Sequence, residues 1–128
     1  MILLKQTILA WLEMAQSHLA NGGIGADDLE QLRQLVQAAQ LRQRLLYLHA
    51  RAPSITASII GMAEHEPVPG YKDLIRTRTA WPYNTVHDAI VDGWQVIHFP
   101  QQIAPFDDRE LDYVGYEFIL QKMEVIVL

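Results

Sequence analysis

Two histidines and an aspartate in the second half of the chain are the side chains whose types best suit acid–base chemistry. His87 and Asp88 are neighbours, and His98 lies on the following predicted element. A histidine oriented by a carboxylate is the usual general base, so these three residues are the candidates for catalysis. His98, however, alternates with Val96 and Trp94, which is the pattern of a half-buried strand face. We therefore predict no catalytic residues and place an enzyme third among the functions considered.

Metal ligands and phosphate loops are the next kinds of site to consider. The chain has five histidines and no cysteine, which excludes disulfides, thiolate chemistry and cysteine-ligated metals. No two histidines stand at the i, i+4 spacing of a helical metal site, and residues 64–66, Glu-His-Glu, lie beside prolines in a predicted loop. Gly22, Gly23 and Gly25 follow a predicted helix instead of a strand, so they indicate an inter-helix turn. We expect neither a metal nor another cofactor.

Aromatic residues of the second half could line a binding pocket between the sheet and the helices. The residues expected to do so are Trp81, Tyr83, Trp94, His98 and Tyr116. Arg76 and Arg78 stand among these aromatics, as in proteins that bind single-stranded nucleic acid. Residues 53–128 carry five basic and eleven acidic side chains, however, and this charge opposes phosphate binding. These residues therefore predict small-ligand binding as the second function and no nucleic-acid partner.

The first half of the chain has the pattern of two antiparallel helices joined by a glycine turn. Its first apolar residues recur at helical spacing and are interrupted by Glu13 and His18, unlike the continuous apolar segment of a signal peptide. We therefore expect a helix that stays in the mature protein and a cytoplasmic location. Residues 21–23, Asn-Gly-Gly, end this helix, and a second helix runs from Leu29 until Pro53 ends it.

The second predicted helix carries more apolar surface than one partner helix would cover. The predicted interface residues on it are Leu32, Val36, Leu45, Leu46, Arg42 and Arg44. We expect them to join two copies of the chain in a two-fold dimer, with another protein as a further partner. The acidic loop 107–112 could face this helix in a neighbouring copy, face Arg76 and Arg78 locally, or be solvated.

Beyond the helices, the pattern of apolar residues shortens to that of strands. Residues 55–62, between two proline-containing segments, could be a short helix or an extended arm, and the sequence leaves both open. The elements predicted after them are a strand at 71–79, a helix at 84–92 capped by Asn84, and strands at 94–99 and 113–121. The last strand could extend to residue 128, and the loop 100–111 joins the final two strands in an antiparallel pair.

Two segments of this β-α-β-β unit resemble small bacterial domains of unknown function. They are Val86–Ile97 (Val-His-Asp-Ala-Ile-Val-Asp-Gly-Trp-Gln-Val-Ile) and Tyr116–Lys122 (Tyr-Glu-Phe-Ile-Leu-Gln-Lys). Those domains have a short helix ending in Gly-Trp, here Gly93-Trp94, followed by a hairpin whose last strand ends in a basic residue. The resemblance covers residues 71–124 and implies a small α+β fold, with no catalytic residues to carry over.

Length and composition bound the remaining alternatives. The chain has 128 residues, of which 50% are hydrophobic and 20% charged, and a net charge of −5. This composition is typical of a folded domain, and no apolar run is long enough for a membrane helix. We predict an α+β protein with an N-terminal antiparallel helical hairpin at 1–52, a linker at 53–70 and a β-α-β-β unit with an antiparallel sheet at 71–128, all in one compact domain. We expect a non-enzymatic interaction or scaffolding module that self-associates through its helices.

Overall fold

The computed structural model describes residues 2–72, 78–101 and 115–127 of the chain. Its elements in chain order are β1 (Ile2–Leu3), α1 (Leu4–Ala20), α2 (Ala26–Ala38), β2 (Ala39–Ala50), β3 (Ile59–His65), a 3-10 helix (Arg78–Ala80), α3 (Val86–Val91), β4 (Gln95–His98) and β5 (Tyr116–Val127). The helices α1 and α2 are followed by the main strands of an antiparallel sheet of five strands. The predicted α+β class with a helical N-terminus is confirmed.

The helical hairpin forms because glycines end α1 and precede α2. The backbone N–H of Gly23 donates to the carbonyl of His18 over 2.7 Å, and Gly22 and Gly23 have φ angles of +131° and +109°. Such angles favour glycine, so the turn follows from these residue types. The carboxylate of Asp28 accepts a 2.9 Å hydrogen bond from the N–H of Gly25 and satisfies a free donor at the start of α2. The predicted hairpin is present, with a shorter second helix.

The prediction of a second helix is wrong beyond residue 38. The chain continues from α2 directly into strand β2. Leu46, Leu48 and Ala50 are fully buried, while the residues between them are partly exposed, which is the two-residue period of a strand. Leucine, arginine and glutamine favour helices locally, but pairing with β3 and β5 overrides that preference.

The predicted linker also contains a strand. β3 pairs antiparallel with β2, so that Leu48 lies opposite Met62 and Leu46 lies opposite Glu64. Of the two alternatives for residues 55–62, the extended one holds from Ile59 onward. Of the strand predicted at 71–79, residues 73–77 lie outside the described residues, and the part beyond them begins the 3-10 helix.

The end of the chain agrees best with its prediction. The hydroxyl of Thr85, and not Asn84, caps α3 by accepting a 3.1 Å hydrogen bond from the N–H of Asp88. β4 and β5 pair antiparallel, with Gln95 opposite Gln121, and β5 extends beyond that residue as predicted. The strand order in the sheet is β1-β5-β2-β3, with β4 also paired to β5. The predicted acidic loop at 107–112 lies outside the described residues.

The chain divides into two compact units, Met1–Arg42 with Met123–Leu128, and Gln43–Lys122. In the first unit, Ala15 of α1 and Ile126 of β5 are buried. The buried core of the second unit consists of Leu46, Leu48, Ala50, Ile59, Val86, Ala89, Trp94, Phe118 and Leu120. Within the part of the chain that the structure describes, no helix is long and apolar enough to cross a membrane.

Candidate functional site

Tyr83 and Trp94, two of the predicted binding residues, meet at the corner between α3 and β4. The indole N–H of Trp94 donates to the hydroxyl of Tyr83 over 2.9 Å, and that hydroxyl donates to Oδ2 of Asp92 over 2.5 Å. Gly93, with a φ angle of +102°, ends α3 and allows the sharp turn between Asp92 and Trp94. The corner thus joins an almost fully buried indole, a phenol and a carboxylate in one chain of hydrogen bonds.

Two basic side chains pack on the ring of Trp94. The guanidinium of Arg44 and the ammonium of Lys122 each lie 5.1 Å from its centroid, within the range of cation–π contacts. Arg44 also donates to both carboxylate oxygens of Glu66, at 3.0 and 2.9 Å, and Lys122 lies 3.7 Å from Asp92. Each cation therefore has a carboxylate partner. We call this group the Trp94 cluster; its members are Tyr83, Asp92, Trp94, Arg44, Glu66 and Lys122.

The Trp94 cluster keeps its phenol neutral and its aspartate ionised at neutral pH. Burial raises the pKa of Tyr83 to about 12, and the hydrogen bond to Asp92 acts in the same direction. The hydrogen bond from Tyr83, followed by the charge of Lys122, holds the pKa of Asp92 below its ordinary value. A general acid or base must exchange its proton near the working pH. These two groups are therefore suited to orientation and packing and not to proton transfer.

The other predicted binding residues lie elsewhere. A cleft of about 220 Å³ is lined by Ser58, Ile59, Arg78, Trp81, Tyr83 and Asn84. Of the described residues that line it, only Trp81 and Tyr83 belong to the predicted set. His98 is exposed at the end of β4, and Tyr116 is partly buried at the start of β5. The predicted residues are therefore divided between the Trp94 cluster, this cleft and the two strand ends.

The three catalytic candidates lie at the start of α3 or at the surface. The carboxylate of Asp88 accepts hydrogen bonds from the backbone N–H groups of Asn84 and Thr85, both at 3.2 Å, and so takes part in capping α3. The side chains of His87 and His98 are exposed. Among the described residues, no group of three or more histidine, cysteine, aspartate or glutamate side chains could hold a metal ion.

The predicted interface residues differ in their position and accessibility in the structure. Four of them lie on strand β2 and not on a helix: Leu45, Leu46, Arg42 and Arg44. Leu46 is fully buried in the core and cannot contribute to an exposed interface, and Arg44 is held by Glu66. On α2, Leu32 is partly buried and Val36 is 51% exposed. The helical part of the predicted interface is therefore reduced to α2.

Asp28 connects α2 to α1 within the hairpin. Its backbone carbonyl accepts a 2.8 Å hydrogen bond from the indole N–H of Trp11, and its carboxylate lies 2.9 Å from Nδ1 of His18. The N–H of Gly25, and then His18, hold the pKa of Asp28 below its ordinary value. These contacts fix how the two helices face each other and therefore which side chains project from the hairpin.

Five large apolar side chains project from one side of the hairpin. They are Leu9, Leu12 and Leu19 on α1 and Leu29 and Val36 on α2, with exposed fractions from 44% to 62%. A groove of about 560 Å³ follows the other side, lined among others by Ala10 and Met14 of α1 and by Gln31 and Ala38 of α2. At about 100° of turn per residue, the five side chains lie roughly 150° around their helices from this groove. We call the surface that they form the leucine face.

The sequence prediction found only part of the leucine face. It names Val36 as an interface residue and Leu29 as the start of the second helix, but it assigns no interface role to the leucines of α1. Leu12 and Leu19 share a helical face with the buried Ala15, so their spacing alone does not separate exposed from buried positions. Trp11 and His18 contact α2, and this contact shows which side of α1 is turned toward α2 and which side is exposed.

Comparisons with known proteins found no match. Models of protein families, curated proteins and solved structures all gave this result. The resemblance of residues 71–124 to small bacterial domains therefore rests on its own residues alone. The function has to be inferred from the geometry of the described residues.

Proposed function

We propose that this chain is a cytoplasmic interaction or scaffolding module that self-associates through the leucine face and carries out no chemistry of its own. The observation that carries the proposal is the exposure of five large apolar side chains on one side of two packed helices. No residue of α2 is buried, although the helix contains three leucines and a valine. Exposed apolar patches of this kind mark interaction sites.

The free energy available from covering the leucine face supports a dimer. Fully burying a leucine or valine side chain contributes about 1.5–3 kcal/mol, so covering a half-exposed one contributes roughly 1 kcal/mol. Ten such side chains in a pair of copies give roughly 10 kcal/mol. Association costs about 4–15 kcal/mol in lost translational and rotational freedom. The two quantities are of similar size, so we expect a weak dimer whose population depends on concentration.

The size of the leucine face leads to the same expectation. The 17 residues of α1 span about 25 Å, and two packed helices are about 20 Å wide. The footprint is therefore about 500 Å² per copy, or about 1,000 Å² for the pair, which is the lower bound for a specific interface.

A second copy of the chain is the occupant that this face fits. Leu9, Leu12 and Leu19 project from α1 beside Leu29 and Val36 of α2, so a copy related by a two-fold axis can place its α1 on the first copy's α2. Both contacts in such a dimer pair leucine with leucine or valine. The result is a four-helix arrangement in which every exposed apolar side chain of the face has an apolar neighbour.

Sedimentation velocity tests the proposal over a range of concentrations. We expect the wild type to change from monomer to dimer as its concentration rises to about 100 µM. Leu19→Glu and Leu29→Glu should each shift this protein to monomer, because a carboxylate in the interface would lose its hydration. Val91→Glu is the matched control, since Val91 is 73% exposed but lies on α3. A wild type that stays monomeric throughout this range, or a Val91→Glu variant that dissociates as fully as the other two, would exclude the leucine face.

A further inference from the structure

The three tryptophans of the chain differ in what their indole N–H groups bind. Trp11 donates to the carbonyl of Asp28 over 2.8 Å, and Trp94 donates to the hydroxyl of Tyr83 over 2.9 Å. The Nε1 atom of Trp81 is also buried, yet no acceptor lies within hydrogen-bond distance of it among the described residues. Buried donors without an acceptor are rare in folded proteins, and a water or an ion bound at the site is one established explanation.

The surroundings of Trp81 contain further donors. Trp81 lines the cleft of about 220 Å³ together with Arg78, Ser58 and Asn84, whose side chains carry a guanidinium, a hydroxyl and an amide. Arg78 is exposed and takes part in none of the ion pairs found between described residues. No aspartate or glutamate is among the described residues that line the cleft. The cleft therefore offers one positive charge and several hydrogen-bond donors to an acceptor.

Two of the described acidic side chains near the cleft, those of Asp88 and Asp92, already have partners within the fold. Asp88 accepts from the backbone N–H groups of Asn84 and Thr85, and Asp92 accepts from Tyr83 and lies 3.7 Å from Lys122. The hydroxyl of Tyr83 has Trp94 and Asp92 as its partners, and its phenol is neutral, so it adds no negative charge to the cleft wall. Repulsion of an anion at this position is thus reduced by partners that the fold itself provides.

We propose that this cleft binds the oxyanion group of a small molecule, a carboxylate or a phosphate, with the charge held by Arg78 and one oxygen accepting from the indole N–H of Trp81 once the ring has shifted toward it. A guanidinium presents its N–H donors in a fork that matches such groups. A volume of about 220 Å³ corresponds to roughly seven water molecules at about 30 Å³ each, so the cleft has room for an oxyanion group and a few further atoms. This inference does not depend on the leucine face.

The indole N–H signals of the three tryptophans in a nitrogen–proton NMR correlation spectrum provide the test. Trp81→Phe identifies the Trp81 signal, and sodium acetate and sodium phosphate are the probes. We expect the Trp81 signal to move downfield and to saturate, because the proton of this nitrogen gains an acceptor only when the ring shifts toward the bound oxyanion. The signals of Trp11 and Trp94 should stay in place, because both already have acceptors.

Sodium chloride at the same ionic strength and the variant Arg78→Gln are the controls. Arg78→Gln should weaken the response of Trp81 at least tenfold, whereas Arg33→Gln, a change at an exposed arginine of α2, should leave it unchanged. A response to acetate alone identifies a carboxylate ligand, and a response to phosphate alone identifies a phosphate ligand. A Trp81 signal that moves no more with either probe than with chloride, or one that moves equally in Arg78→Gln, would overturn the proposal.

Discussion

A β-carbon at Gly115 would lie 2.7 Å from the backbone carbonyl oxygen of Ala50. Gly115 precedes β5 and Ala50 ends β2, so the two strands approach each other at a point where only glycine has room. The same carbon would also lie 2.7 Å from Cδ1 of Ile60 on β3, and the φ angle of Gly115 is +93°. Both the close contact and the backbone angle therefore require glycine here.

We predict that Gly115→Ala lowers the free energy of unfolding by more than about 2 kcal/mol, because a left-handed alanine costs about 1–2 kcal/mol and the contact with the backbone adds to it. Urea denaturation measures the change. Gly93→Ala is the matched control: its φ angle is +102°, but among the described residues the added carbon would meet only the flexible end of Lys122, at 3.4 Å. Equal losses in the two variants would show that the approach to Ala50 does not matter.

Replacing Tyr83 by phenylalanine should lower the free energy of unfolding by about 1–3 kcal/mol. The change removes the acceptor of the Trp94 indole N–H, which is then left buried without a partner. A double-mutant cycle with Trp94→Phe measures this dependence. If the hydrogen bond between the two side chains is responsible, Tyr83→Phe should cost less when residue 94 is already phenylalanine. Additive losses would contradict this account.

The stability of the protein should fall at alkaline pH in a manner that depends on Tyr83. The pKa of this phenol rises from 10.0 to about 12 on folding, so the folded state binds its proton more tightly than the unfolded state does. The contribution of the protonated phenol to the free energy of unfolding is complete below pH 10 and is lost as the pH rises toward 12. We expect Tyr83→Phe to flatten the decline of the unfolding free energy over this interval. In a spectrophotometric titration, the same variant should lack the phenol that ionises near pH 12.

Leu46 and Val36, both predicted at first to be interface residues, should respond differently to truncation. Leu46 is fully buried, so Leu46→Ala should lower the free energy of unfolding by about 2–5 kcal/mol. Val36 is 51% exposed, so Val36→Ala should change the free energy of unfolding of the monomer by less than about 1 kcal/mol. It should weaken dimerisation instead. Chemical denaturation at low concentration and sedimentation velocity separate the two effects. If Leu46→Ala weakened dimerisation and left the free energy of unfolding unchanged, that result would be inconsistent with the burial of Leu46.

The elements that sequence reasoning located correctly are those bounded by local chemistry. Gly22 and Gly23 define the end of α1, and Gly93 defines the end of α3, because left-handed backbone angles select glycine wherever they occur. The final strand pair was predicted from aromatic and β-branched residues, whose side chains suit a half-buried sheet. Such signals depend on neighbouring residues and can be interpreted without the rest of the fold.

β2 could not be predicted in the same way. Its residues favour a helix by intrinsic preference, and the alternation of Leu46, Leu48 and Ala50 is visible only over half of its length. What makes it a strand is pairing with β3 and β5, the second of which lies far away in the sequence. The Trp94 cluster depends on the same pairing, since Arg44 reaches the indole from β2. If residues 39–50 are taken as a helix, the contact between Arg44 and Trp94 cannot be predicted.

The turn at Gly22 and Gly23 has a practical consequence. Apart from the chain neighbours, no described residue has an atom within 4 Å of the position that a β-carbon would take at either glycine, so this tip faces open space. Exposed loop tips are the places where added chain is tolerated best. A fluorophore-binding peptide can therefore be inserted at this tip. Energy transfer between labelled copies in living cells would then show whether two hairpins associate at native expression levels.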